Sequence, residues 1–187
     1  MNHFDIGSND FFVKTRTVFL YGEINMALAY DVGCKLKYLD YVESSEPITL
    51  EIHSPGGEVT SGLAIIDTMN YVQSPVRTVV CGMAASMAAL IASAGTKGMR
   101  FALPHSKVMI HQPLGGFGVS QASDIEIYAR NILQTKKELN KILADACNRS
   151  IEEIEKDTDR DYYMSAAEAM EYGLIDGIIQ PRKGAKA

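Results

Sequence analysis

Residues 76–94, VRTVVCGMAASMAALIASA, decide how the rest of the chain is read. Val76 to Cys81 is rich in β-branched side chains and reads as a buried strand. Gly82 breaks that run. Ala84 to Ala94 then reads as a buried helix of small residues, a composition that lets a helix pack closely on a sheet. Strand, glycine turn and helix form the repeating unit of an α/β domain. Ser86 falls just inside that helix, where free backbone N–H groups and partial positive charge are concentrated.

The same unit recurs upstream. Thr17 to Leu20 reads as a strand, and about Asn25 to Glu43 carries Leu28, Val32, Leu36 and Leu39 at helical spacing. Pro47 to Ile52 is a second strand, broken sharply by Ser54-Pro55-Gly56-Gly57. About Glu58 to Val72 is a helix with Leu63, Ile66 and Met69 inward, stopped by Pro75. Downstream, Met99 to Leu103 and Lys107 to Ile110 read as short strands. Pro113 to Gly118 is too rich in glycine for a helix. A long helix spans about 121–147, and a short acidic one spans Ile151 to Lys156. Ser165 and Glu168 form a capping box that opens another helix, and Ile175 to Ile179 is the last strand.

The 187 residues suit one domain, with 1–15 as a poorly defined arm and 181–187 as a flexible tail. Apolar residues at 47% and charged residues at 22% exclude disorder as the default, and a net charge of -5 argues against nucleic acid as a partner. Cys34, Cys81 and Cys147 form no pair with metal-ligand spacing and read as free thiols in a reducing compartment. No apolar run reaches the roughly 18 residues of a membrane span, and the start has no leader character. A cytoplasmic location is therefore expected.

Four features carry chemistry. Ser86 is a nucleophile candidate, because a helix N-terminus stabilises developing negative charge. His111 closes an apolar strand and precedes Pro113, so it can serve as a general base if its ring reaches a hydroxyl. His3, His53 and His105 compete for that role. A carboxylate is needed to orient the imidazole, and Asp157, Asp159 and Asp161 are all eligible by their residues alone. Gly56 and Gly57 allow a close backbone approach, so an amide there could join that of Met87 in holding an oxyanion. Each feature also has a plain structural explanation when taken singly.

Together, Ser54-Pro55-Gly56-Gly57, Gly82-Met83-Ala84-Ala85-Ser86-Met87, Met109-Ile110-His111-Gln112-Pro113-Leu114-Gly115-Gly116 and Asp157-Thr158-Asp159-Arg160-Asp161 resemble the motif series of the Clp protease proteolytic subunits (ClpP), in order and in spacing. The resemblance runs from about Thr17 to Ile179. It implies a ClpP/crotonase-like α/β fold with a protruding handle helix at about 121–147. It implies Ser86 as nucleophile, His111 as general base and Asp161 as its orienting carboxylate. Gly57 and Met87 would supply the oxyanion-hole amides. Gly56, Pro113, Leu114, Gly115 and Gly116 would bind an extended peptide. Asp159 and Arg160 would bridge two stacked heptameric rings.

The implied activity is serine endopeptidase hydrolysis of unfolded polypeptides inside a barrel, with no metal or organic cofactor. The implied partners are further copies of the chain, with a paralogue mixed in or not, and an AAA+ unfoldase of the ClpX/ClpA/ClpC type. This chain has no G-x-x-x-x-G-K-[ST] loop, so ATP use falls to that partner. Several departures stand out. Only about 15 residues precede the first strand, which puts axial gating in question. Thr49 and Glu51 occupy positions where the family often has tyrosines, so altered unfoldase docking is expected. His53 replaces a more usual asparagine, and the loop after Gly116 is one residue longer. Two rival readings are an acyl-CoA enzyme on a crotonase-type fold and a catalytically silent structural subunit.

Overall fold

The computed structural model describes residues 8–116, 118–119 and 121–180. Five strands form a parallel sheet in the order β1-β2-β3-β4-β7: β1 Thr17–Tyr21, β2 Ile48–Ser54, β3 Val76–Ala85, β4 Arg100–Ala102 and β7 Gly177–Ile178. β3 is long enough to serve two neighbours. Its first half pairs with β4, and Met83 to Ala85 pair with β5, Lys107–Ile110. β5 then pairs antiparallel with β6, Tyr162–Ser165.

The helices are α1 Ser8–Thr15, α2 Met26–Val42, α3 Val59–Tyr71, α4 Met87–Ser93, α5 Ala122–Cys147, α6 Ile151–Asp157 and α7 Ala166–Tyr172. Sheet alternation sets the layers. Val18, Leu20, Ile48, Leu50, Ile52 and Val80 point to a buried face packed with residues of α2, α3 and α4. Phe19, Tyr21, Thr49, Glu51 and Arg77 point to the other face, which the described residues leave largely open. Parallel sheets are ordinarily covered on both faces.

The structure agrees with most sequence-derived elements and corrects several. Within the expected arm, residues 8–15 are the helix α1. β3 does not end at Gly82 but continues to Ala85, so α4 begins at Met87 rather than Ala84. The pairing with Val108 and Met109 keeps these alanines extended, against their helical propensity. β6 was not expected at all, because its first two residues, Tyr162 and Tyr163, are exposed and only the partner strand β5 holds them extended. In α3, Ile65, Ile66 and Met69 are buried while Leu63 is only half-buried. Gln121 is the N-cap of α5 rather than its first residue, and the capping box Ser165/Glu168 forms as expected.

α5 has two characters. Its last third is anchored through Leu139, Asn140, Leu143, Ala144 and Cys147, while most of its first half is exposed. Residues 181–187 of the expected tail lie outside the described residues.

Candidate active site

Ser86 is held at the junction of β3 and α4. Its N–H donates to Met109 O (2.9 Å), and its carbonyl accepts from Ala89 N–H (2.9 Å), which ties the turn to β5 on one side and to the helix on the other. Its backbone is forced to φ 55°, ψ -127°. A left-handed φ is costly for a residue with a Cβ, about 1–3 kcal/mol, and survives only where the surroundings over-determine it. The result is a serine at the apex of a sharp strand-to-helix turn, not inside a helix.

Ser86 Oγ lies 2.8 Å from His111 Nε2. His111 Nδ1 lies 3.3 Å from Asp161 Oδ1. The antiparallel pairing of β5 with β6 explains the second contact. Ile110 faces Tyr162, so the next residue out on each strand brings His111 against Asp161. A 2.7 Å bond from Gln112 N–H to Thr158 O extends the pairing beyond the strands. Asp157 is drawn elsewhere and accepts from the Tyr172 hydroxyl (2.8 Å). The backbone carbonyl of Asp159 accepts from Gln112 Nε2 at 3.0 Å. Register thus separates three aspartates that residue type alone left equivalent.

The Ser54–Gly57 turn lies directly beneath the serine. A Cβ on Gly56 would sit 2.6 Å from Ser86 Cβ and 2.7 Å from Ala85 O, so only glycine fits. Gly57 bridges in parallel to Ile24. Ile24 spends its N–H on Gly56 O and its carbonyl on Glu58 N–H, both at 2.8 Å. In a parallel bridge this leaves the Gly57 N–H on the opposite edge. Met87 opens α4, so its N–H has no intrahelical acceptor. Both residues line a cleft of about 340 Å³ that also contains Ser86 and His111.

Of the expected peptide-binding residues, Gly56, Pro113 and Leu114 line this cleft. Gly115 and Gly116 lie beyond it. Gly115 is pressed against the handle, where a Cβ would meet Tyr128 Oη at 2.5 Å and Ile132 Cδ1 at 2.6 Å. Asp159 and Arg160 are exposed and contact each other at 3.9 Å. Among the competing histidines, His53 packs edge-on against Tyr21 with ring centroids 5.7 Å apart, His105 is exposed in a turn, and His3 lies outside the described residues. Glu23, Val59, Leu90, Met109 and Leu139 also line the cleft and are not among the expected site residues. They come from four different elements and the β1–α2 turn, so no local pattern marks them.

A serine hydrogen-bonded to an imidazole, a carboxylate in contact with that ring's other nitrogen, and two backbone N–H groups with no acceptor among the described residues make an arrangement suited to acyl transfer. The family model for Clp protease matches residues 3–182. The chain belongs to the Clp protease family. Its relatives agree with the match. The ATP-dependent Clp protease proteolytic subunit 3 of Synechococcus sp. (strain CC9605) is 58% identical over 164 residues, covering 88% of this chain and 82% of that protein. Subunit 2 of Prochlorococcus marinus (strain NATL2A) is 57% identical over 164 residues, with the same coverage of both chains. The proteolytic subunit of Ligilactobacillus salivarius (strain UCC118) is 51% identical over 174 residues, covering 93% of this chain and 88% of that one. The mixed α/β body with its long handle is the Clp protease fold, and the family is one of serine endopeptidases.

Around Thr49 and Glu51 the sheet's open face forms a hollow with Arg77, Val79, Cys81, Phe101, Leu103 and Ile179. Glu51 is not left bare there, because the Tyr21 hydroxyl donates to it. Burial, and then this contact with the Glu51 carboxylate, push the Tyr21 phenol well above its ordinary range.

Proposed function

We propose that this chain is a proteolytic subunit that hydrolyses unfolded polypeptides by a Ser86–His111–Asp161 acyl-enzyme mechanism. The observation that carries the reading is the continuous row of contacts, 2.8 Å from Ser86 Oγ to His111 Nε2 and 3.3 Å from His111 Nδ1 to Asp161 Oδ1. Asp161 favours the tautomer with the proton on Nδ1, which leaves Nε2 free to accept the serine proton. Ser86 Oγ attacks the peptide carbonyl as His111 takes that proton. The N–H groups of Gly57 and Met87 hold the oxyanion, each such donor being worth about 3 kcal/mol. The C–N bond breaks, His111 protonates the departing amine, and an ester to Ser86 remains. Water, deprotonated by the same imidazole, then cleaves the ester and restores the serine.

Val59, Met87, Leu90, Met109 and Leu139 give the cleft an apolar wall suited to a large apolar side chain next to the scissile bond. Gly56 and the extended segment Pro113 to Gly116 would flank the peptide backbone on its two sides. The open sheet face and the exposed half of α5 support assembly into two stacked heptameric rings, pure or mixed with a paralogue, with Asp159 and Arg160 in the ring-to-ring contact. The ATP-dependent naming of the relatives supports an ATP-driven unfoldase as the further partner.

A short fluorogenic peptide assayed with wild type and Ser86→Ala, together with fluorophosphonate labelling, tests the proposal. Cleavage and labelling that both vanish in Ser86→Ala support it. Thioester turnover without labelling would favour the acyl-CoA alternative, and folded, assembled protein that neither cleaves nor labels would favour the silent subunit.

A further inference from the structure

The substrate cleft has an apolar wall and a carboxylate at its rim. Among its lining residues, only Glu23 and His111 can carry charge. Glu23 sits in the turn between β1 and α2, and its position is fixed by bonds on both sides. Gly22 N–H donates to His53 O at 3.0 Å, and Ile24 N–H donates to Gly56 O at 2.8 Å. Ile24 is buried, so the exposed residue beside it is turned outward, next to the Gly56–Gly57 turn. The neighbouring carboxylate of Glu58 points elsewhere and accepts from Ser61 Oγ at 2.5 Å. Among the described residues, Glu23 has no ion-pair or hydrogen-bond partner of its own.

We propose that Glu23 is a specificity-determining residue. Its carboxylate selects polypeptide segments that carry lysine or arginine close to the apolar residue held in the cleft, and it disfavours acidic segments there. The inference rests on the peptidase reading, because it assumes that a peptide occupies this cleft. Glu23 is solvated, so the attraction is that of an exposed ion pair: a few-fold gain for a cationic side chain and a similar loss for an anionic one. Lysine and glutamate at the same place should therefore differ by about ten-fold at low salt. The difference should shrink toward unity at 1 M salt, where the screening length is about 3 Å.

The test uses the full-length assembled protein and peptides with one large apolar residue among alanines. Lys or Glu is moved through three positions on either side. The readouts are kcat/KM for the active protein and, independently, Kd by fluorescence anisotropy for Ser86→Ala. The expected result is a position at which Lys exceeds Glu by about ten-fold in both readouts. Glu23→Gln should level that ratio to within about two-fold, and Glu23→Lys should reverse it. No position with a Lys/Glu ratio above two, or a ratio that survives Glu23→Gln, overturns the role of Glu23. Failure of the peptidase reading looks different: no peptide of any charge is cleaved, while the binding measurement on Ser86→Ala still reports on Glu23.

Discussion

Gly56→Ala is the sharpest probe of the geometry beneath the serine. The added Cβ would lie 2.6 Å from Ser86 Cβ, and ordinary contact begins at 3.4 Å, so something must move by about 0.8 Å (3.4 - 2.6). Retreat on the other side is blocked by the backbone, with Ala85 O at 2.7 Å and Met87 N at 3.2 Å. The group most free to move is the Ser86 turn itself, together with the amide of Met87. A misplacement of about 1 Å in a reacting group costs on the order of 100-fold in rate. That corresponds to about 2.7 kcal/mol of transition-state stabilisation. Gly56 also has φ +95°, a region that disfavours any residue with a Cβ by about 1–2 kcal/mol. For a domain of this size that lowers Tm by about 2–8 °C. The expected outcome is a modestly destabilised, folded protein with kcat/KM on a fluorogenic peptide reduced about 100-fold and slow fluorophosphonate labelling. Gly33→Ala is the control. Its Cβ would meet only Thr68 Oγ1 at 3.7 Å, and in the interior of α2 it should raise stability by up to about 1 kcal/mol. Gly56→Ala activity within two-fold of wild type would show that the turn does not position the nucleophile as argued.

Three further outcomes follow from the structure. Asp176 accepts from Arg100 Nε at 2.9 Å, in a pair whose arginine side chain is only 6% exposed. Burial pushes the Asp176 carboxyl up, but the hydrogen bonds and charge of Arg100 outweigh it and hold the carboxyl below its ordinary value. A depressed carboxyl stabilises the fold above its unfolded pKa and loses that contribution as pH falls through the folded value. Asp176 is itself partly exposed, which screens the pair, so Asp176→Asn should cost about 1–3 kcal/mol at pH 7, and thermal melts should show the gap to wild type narrowing below about pH 4. Among the cysteines, burial pushes the Cys81 thiol up to about 12 and the Cys147 thiol up to about 11, while Cys34 is exposed. Titration of native protein with a disulfide reagent at pH 8 should show one fast thiol per chain, lost in Cys34→Ser; two fast thiols would contradict the burial. Removing the Ser165 cap, which accepts from Glu168 N–H at 3.3 Å, should cost about 1 kcal/mol in denaturant unfolding, and Ser165→Thr should recover most of it.

Much of the architecture could be read from the order of residues because it is locally encoded. Apolar periodicity marked α2, α3 and α5, glycine and proline marked the turns, and Ser165 with Glu168 announced its helix. Ser86 and His111 were candidates by their residues, and it was the resemblance of the motif series to the Clp protease subunits that singled them out. What the sequence could not supply depends on pairing between distant segments. The extension of β3 through Ala85 comes from β5, and it moves Ser86 from a helix interior to a strained apex. β6 exists only as the partner of β5, and although the motif resemblance named Asp161, the register of that pairing is the physical reason that it, rather than Asp157 or Asp159, lies opposite His111. The cleft wall draws Val59, Leu90 and Leu139 from three helices, and Glu23 reaches the rim because Ile24 bridges to Gly57. Local propensity selects the elements, while hydrogen-bond register and side-chain packing across long sequence separations decide which side chains meet.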